Sequence, residues 1–279
     1  MIRERMLAEG FAAEEDFLTP APAADEDMLL VHERGWIRRL QTGTLGYSEV
    51  IRLEIPYSRK MVEAVWLATG GTILAARRAL TDGIGFNLGG GFHHAFPGHG
   101  EGFCAVNDIA VAIRRLQRDR AIAKAIIVDC DVHHGNGTAR IFVEDPTVLT
   151  ISIHQDNNYP MEKPPSTIDI ALADGAGDEE YLGKLREVLG PAVESFHPDL
   201  ILYVAGADPY REDQLGGLAL TIDGIRQRDQ MIFDTSLEHQ APVAVTLAGG
   251  YAWRVEDTVA IHINTARAAV EAAAGRPAS

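Results

Sequence analysis

The residue types able to do chemistry crowd into four short segments, and the densest is Ala125-Ile-Ile-Val-Asp-Cys-Asp-Val-His-His-Gly-Asn-Gly137. Ala125 to Val128 are apolar and mostly β-branched, the composition of a parallel strand covered on both faces. Asp129, Asp131 and His133 then follow at every second position, and an extended chain points all three the same way. Two carboxylates and an imidazole converging at a buried strand end are costly unless their charge is met, and a metal ion meets it. Alone, the stretch fits a humbler role equally well. An aspartate at a strand end is often a turn or cap residue, and Asn136 could cap a helix over residues 138–144.

Three other segments tip that balance. Gly89-Gly-Gly-Phe-His93-His94 joins a glycine run, which lets backbone approach a ligand closely, to two adjacent imidazoles. Tyr203-Val-Ala-Gly-Ala-Asp208-Pro ends an apolar run with one carboxylate, and Leu247-Ala-Gly-Gly250-Tyr251 ends another with a phenol. Together they hold the parts for metal-assisted hydrolysis. Asp131, His133 and Asp208 supply three ligands with coordination positions left open, His93 and His94 an acid/base pair, and Tyr251 a donor to a developing oxyanion. Each has an ordinary alternative: a hydrogen-bonded core histidine, a packing tyrosine, a turn aspartate before Pro209. Four such coincidences at successive strand ends are far less common than one.

The elements around these segments must bring them together. Helical patterns cover residues 2–8, 25–41, 59–80 (opened by Ser58 and interrupted by Gly70-Gly71), 107–118, 178–196 (with Gly190-Pro191 inside or bending it), 221–238 and 254–274. Strand patterns cover 83–88, 125–130, 148–153, 199–205 and 242–247. Strand, glycine-bearing loop and helix in alternation predict one α/β domain over residues 1–279: a central, mostly parallel sheet with helices on both faces and its site at the carboxyl ends of the strands. Residues 275–279 read as a frayed tail.

A net charge of −15 argues against a nucleic-acid partner and suits a cationic one. The two cysteines, Cys104 and Cys130, allow neither a disulfide framework nor a cysteine metal cluster, which fits a reducing cytoplasm. Met1 to Met6 is charged and amphipathic, without a signal-peptide pattern, and no apolar run is long enough to span a membrane.

The ordered motifs Gly-Gly-Gly-Phe-His-His, Glu101-Gly-Phe-Cys-Ala-Val-Asn-Asp108, Val-Asp-Cys-Asp-Val-His-His-Gly-Asn-Gly, Ala205-Gly-Ala-Asp-Pro and Ala-Gly-Gly-Tyr resemble the zinc-dependent histone deacetylase family over residues 20–255. The chain looks most like the small class IV-type bacterial deacetylases. The resemblance implies the arginase/deacetylase fold and hydrolysis of an N-acetylated amine, acetyl-lysine in proteins or peptides foremost, with longer acyl-lysines and acetylpolyamines as alternatives. It implies zinc on Asp131, His133 and Asp208, with Fe2+ or Co2+ tolerated. It implies catalytic His93, His94 and Tyr251, with Asp129 behind the first histidine and Asn136 behind the second. It also implies an acyl channel walled by Gly102, Phe103, Tyr159 and Gly250, and potassium at Asp129, Asp131, His133, Ser152 and Ile153. Two departures stand out. Met1 starts after the N-terminal strand and rim loop usual in the family, and Asn136 stands where many relatives have aspartate. An arginase-type enzyme with two manganese ions would need carboxylates where Gly135 and Tyr210 stand. A non-catalytic acyl-amine binder is the remaining alternative.

Overall fold

The central strands are buried throughout, and their side chains alternate between two cores, one on each face of a single sheet. The computed structural model describes residues 1–275. Its helices α1 (Ile2–Ala8), α2 (Asp25–Met28), α3 (Arg34–Thr42), α4 (Tyr47–Leu53) and α5 (Arg59–Asp82) precede the first strand, β1 (Ile84–Asn87). Then α6 (Asp108–Arg118), β2 (Ala125–Asp129), α7 (Asn136–Phe142), β3 (Val148–Gln155), β4 (Ile168–Leu172), α8 (Asp178–Phe196), β5 (Leu200–Val204), α9 (Ile222–Glu238), β6 (Val243–Thr246) and α10 (Val255–Ala274) follow. All strand pairs are parallel, in the order β1-β6-β5-β2-β3-β4.

In β2, Ile126 and Val128 pack with Tyr181 and Leu185 of α8, Phe233 of α9 and Ile261 of α10. Ala125 and Ile127 face the opposite core, with Ile73 of α5 and Ile109 and Ile113 of α6. Each of the buried Ile, Leu, Val and Phe side chains contributes roughly 1.5–3 kcal/mol of transfer free energy. Cys130 belongs to the first core, on the face away from its two flanking aspartates. The wholly buried Arg228 of α9 ties the ends of β2 and β5 together, donating to the carbonyls of Cys130 at 3.2 Å and Gly206 at 2.7 Å.

This order explains how the four polar segments meet. They leave the carboxyl ends of β1, β6, β5 and β2, four neighbours in the sheet. The chain reverses direction of growth between β2 and β5, the switch point at which open α/β sheets bind ligands.

Several expectations need correction. The single helix over 25–41 is two, α2 and α3, because His32 turns inward between them: its Nδ1 lies 3.1 Å from the Phe96 carbonyl and its Nε2 accepts from the Asn107 amide at 2.9 Å. Gly70-Gly71 do not interrupt α5; they lie on its buried face, Gly70 against the backbone at Ala21. In α8, by contrast, Pro191 lies inside the helix, one of the two arrangements expected. Neither α4 nor the edge strand β4 was expected. In α4 only Leu53 is buried, too little for a helical stripe, and β4 shows only a short alternation at Ile170 and Leu172. The frayed tail lies outside the described residues except for Gly275, whose N–H closes α10 on the carbonyls of Glu271 and Ala272. Among the described residues no helix is long and apolar enough to cross a membrane.

Candidate active site

Beyond Asp129 the chain leaves β2 but keeps its alternation, so Asp131 and His133 meet Asp208 from the end of β5. The three are buried, and their ligand atoms all lie within 4.8 Å of one another. His133 Nδ1 is 3.0 Å from Asp131 Oδ1 and 3.4 Å from Asp208 Oδ2. Backbone amides fix the carboxylates: Val132 N–H donates to Asp208 Oδ1 at 2.8 Å and Gly249 N–H to Asp131 Oδ2 at 3.0 Å. Among the described residues Asp208 Oδ2 makes no hydrogen bond, its nearest polar neighbour being the His133 ring at 3.4 Å. Burial, then the neighbouring Asp131 charge, push the Asp208 carboxyl up. Burial also opposes charge on His133, but Asp131 and Asp208 outweigh it and raise that imidazole to about 11. Two facing carboxylates, an orphaned buried oxygen and an imidazole held between them form a site short of positive charge. The donor set fits a divalent cation of the zinc type with positions to spare.

These groups floor a cavity of about 330 Å³, with His93, His94, Gly102, Phe103, Tyr159, Leu215, Gly249 and Tyr251 among its lining. Phe103 and Tyr251 face each other with ring centroids 5.9 Å apart, and Tyr159 meets His94 edge-on at 4.9 Å. Gly102 has φ +53°, and a Cβ there would collide with both His94 and Tyr159, so the narrow wall requires glycine. Gly250, expected in this wall, is not part of it. Its Cα faces Thr258 and Ala207, and Gly249 takes the place, where a Cβ would strike Asp208 and Asp131.

The paired histidines are held differently. His93 Nδ1 contacts Asp129 Oδ2 at 2.7 Å. Burial works against its charge, yet Asp129 and Asp131 push it up to about 9. His94 Nδ1 contacts Asn136 Oδ1 at 2.8 Å; burial, then the His93 charge, hold it well below the ordinary range. Asn136 therefore faces His94 and not the helix end. It is the first residue of α7, and Gly135 occupies the N-cap position where the sequence suggested Asn136 itself. Tyr251 is positioned through its backbone, its N–H donating to Asp213 Oδ2 at 2.6 Å. Burial, then Asp131 and Asp208, raise its phenol, which stays a proton donor.

A family model described as the histone deacetylase domain matches residues 1–266. The chain belongs to the histone deacetylase family. An uncharacterised protein of Picosynechococcus sp. is 40% identical over 264 residues, covering 95% of this chain and 88% of its own. A probable deacetylase of Methanothermobacter thermautotrophicus is 34% identical over 84% of this chain and 74% of its own. The acetoin utilization protein AcuC of Bacillus subtilis is 31% identical over 86% and 68%. A solved histone deacetylase homologue complexed with SAHA superposes with a TM-score of 0.82 at 26% identity, over all of this chain and 78% of that one.

Of the residues expected around a monovalent cation, two are neighbours in the sheet. Ser152 pairs with Asp129 across β2 and β3, but its hydroxyl is engaged by His154 Nδ1 at 3.0 Å. Sequence reasoning passed over four residues. Asp213 holds the Tyr251 backbone, and Asp108 accepts from the amides of Gly91 and Phe92 at 3.1 and 2.7 Å, fixing the loop before the histidines. Glu101 reaches Asn136 and Tyr159, and Glu54 stands at the cavity wall. For Asp108 and Glu101 the signal was present, since they bound the motif 101–108.

Proposed function

We propose that the protein hydrolyses the amide of an N-acetylated amine, acetyl-lysine in a protein or peptide being the foremost substrate, to acetate and the free amine. One observation carries this: a three-donor cluster, the His94 imidazole and the Tyr251 phenol all line one narrow cavity floored by buried carboxylates. A divalent ion, zinc by preference with Fe2+ or Co2+ as substitutes, would be held by Asp131, His133 and Asp208. When bound it supplies a Lewis acid that polarises the acetyl carbonyl and acidifies the attacking water.

The chain's own groups do the rest. His94, neutral and hydrogen-bonded through Nδ1, takes the water's proton at Nε2 and returns it to the leaving nitrogen as the C–N bond breaks. Tyr251 donates its O–H to the carbonyl oxygen as charge develops there. His93, held protonated against Asp129, adds positive potential beside the reacting centre. Gly102, Phe103 and Tyr159 leave room for an unbranched acyl-bearing chain and exclude water around it. Potassium at Asp129, Asp131, His133, Ser152 and the Ile153 backbone is part of the same proposal, supported by the Asp129–Ser152 register. A reducing cytoplasm suits the two buried, unpaired cysteines.

The test is acetate release from acetyl-lysine peptides, longer acyl-lysines and acetylpolyamines, with metal content measured alongside. Metal-dependent release from acetyl-lysine is the expected result. No turnover of any acylated amine by fully metallated protein refutes the proposal, and a clear preference for polyamines or longer acyl chains redirects it.

A further inference from the structure

Resting on that reading of the site, we infer that Glu101 is a positioning residue: through Asn136 it fixes which nitrogen of His94 carries the proton, and it supplies the negative charge that Asn136 lacks. Asn136 Nδ2 donates to Glu101 Oε1 at 2.6 Å, while Asn136 Oδ1 faces His94 Nδ1 at 2.8 Å. A carboxylate only accepts hydrogen bonds, so the amide must turn its NH2 toward Glu101. Its oxygen must then turn toward His94. That oxygen can only accept, so His94 Nδ1 must carry the hydrogen, and Nε2 keeps the lone pair that base catalysis needs. The tautomer of His94 is thus set two residues away.

The carboxylate is built for this task. Oε1 also accepts from the Tyr159 hydroxyl at 3.2 Å, and Oε2 lies 3.0 Å from His99 Nε2, whose ring stacks on Phe96 at a centroid distance of 4.6 Å. The Glu101 side chain is only 15% exposed. The tight turn here is made by backbone, Glu101 N–H to the Cys104 carbonyl and Cys104 N–H to the Glu101 carbonyl, so the side chain is not needed to form it. Glu101 does not line the cavity. Its influence on substrate must therefore pass through Asn136 to His94 or through Tyr159 to the wall. The groups facing the relay from neighbouring elements are His99, Tyr159 and, near Tyr159, Glu54.

The test moves the charge along the relay. Glu101→Gln keeps the shape but can present either oxygen or NH2 to Asn136, so the amide orientation is no longer enforced. We expect kcat to fall about tenfold with KM within about twofold, the signature of an interaction that matters chiefly in the transition state. Asn136→Asp alone sets two carboxylates within hydrogen-bond reach, and it should also impair turnover. The double variant E101Q/N136D restores one carboxylate and one amide in swapped order, and should recover to within about threefold of the wild type. A double variant no better than E101Q, at equal metal content, overturns the inference, as does wild-type kcat in E101Q. A second readout needs no turnover. In protein labelled with 15N-histidine, His94, assigned by its absence from His94→Gln, should show one tautomer with hydrogen on Nδ1. It should become mixed in E101Q and single again in the double variant. An unchanged His94 signal in E101Q contradicts the relay even if the protein hydrolyses no acetylated amine, an outcome that would count separately against the proposed function.

Discussion

His93 and His94 are adjacent in the chain, both buried, with ring centroids 4.0 Å apart, yet their protons are held on opposite terms. His93 touches a buried carboxylate directly and stays charged up to about pH 9. His94 touches a neutral amide whose carboxylate stands one residue further out, and it stays neutral. Burial lowers the proton affinity of both; at His93 the Asp129 and Asp131 charges override it, while at His94 the neighbouring His93 charge adds to it. Two identical side chains at one strand end thus take opposite charge states in different surroundings: β2 lies behind His93, α7 and the 101–104 turn behind His94.

The comparison can be broken at its base. Asp208→Ala removes a carboxylate from the three-donor cluster, and no neighbouring residue can replace it. Bound metal and turnover should both vanish, turnover by more than about a thousandfold, as elemental analysis and acetate release would show. Next in size, Tyr251→Phe keeps the ring against Phe103 and loses only the O–H. It should cost about a hundredfold in kcat with metal and substrate binding kept; near-normal turnover would mean that the hydroxyl does not face the oxyanion.

Asp129→Asn sharpens the contrast itself by giving His93 the kind of partner His94 has. The sign follows from the balance at His93. Its proton is retained up to about pH 9 only because Asp129 and Asp131 outweigh burial, so loss of the Asp129 charge lowers that value. The alkaline limb of the kcat/KM profile should move to lower pH, and an unmoved limb would mean that His93 does not act as a cation.

The smallest effect is on stability. His32 and His262 show what burial does to a histidine where no carboxylate offsets it: both are held down to about 4, His262 by burial and then the Arg228 charge. Their unfolded value is the ordinary 6.5, so they favour the folded state fully above that pH. That contribution is lost as the pH falls from about 6.5 toward 4, at most on the order of 3 kcal/mol each. Melting temperature should drop across this window. His262→Leu should flatten the drop while changing stability near pH 7 by less than about 1 kcal/mol, because among the described residues His262 Nδ1 has no hydrogen-bond partner to lose. An equally steep drop in that variant would assign the pH dependence elsewhere.

What could be read from the chain alone follows periodicity and local spacing. The every-second-residue pattern of Asp129, Asp131 and His133 carried its meaning because the side chains keep alternating past the end of β2, with Cys130 and Val132 in the core on the other side. The buried strands were plain for the same reason. Asn136 was harder, since capping and facing His94 are equally compatible with Gly-Asn-Gly; only the packing of α7 against the histidine loop decides it. Glu101 is 35 residues from Asn136, and their contact is a tertiary fact that no local pattern encodes. Gly249 and Gly250 differ by one position, and the sequence has no means of choosing which meets the cavity. The split between α2 and α3 depends on His32 reaching Phe96 and Asn107, again a long-range contact.

The most direct measurement is a titration of metal-stripped protein with Zn2+, following acetate release from an acetyl-lysine peptide. Turnover rising linearly and breaking at one equivalent, with no break and no turnover in Asp208→Ala, is the predicted result. Release that is already complete without metal, or that stays absent at full occupancy, would contradict the account.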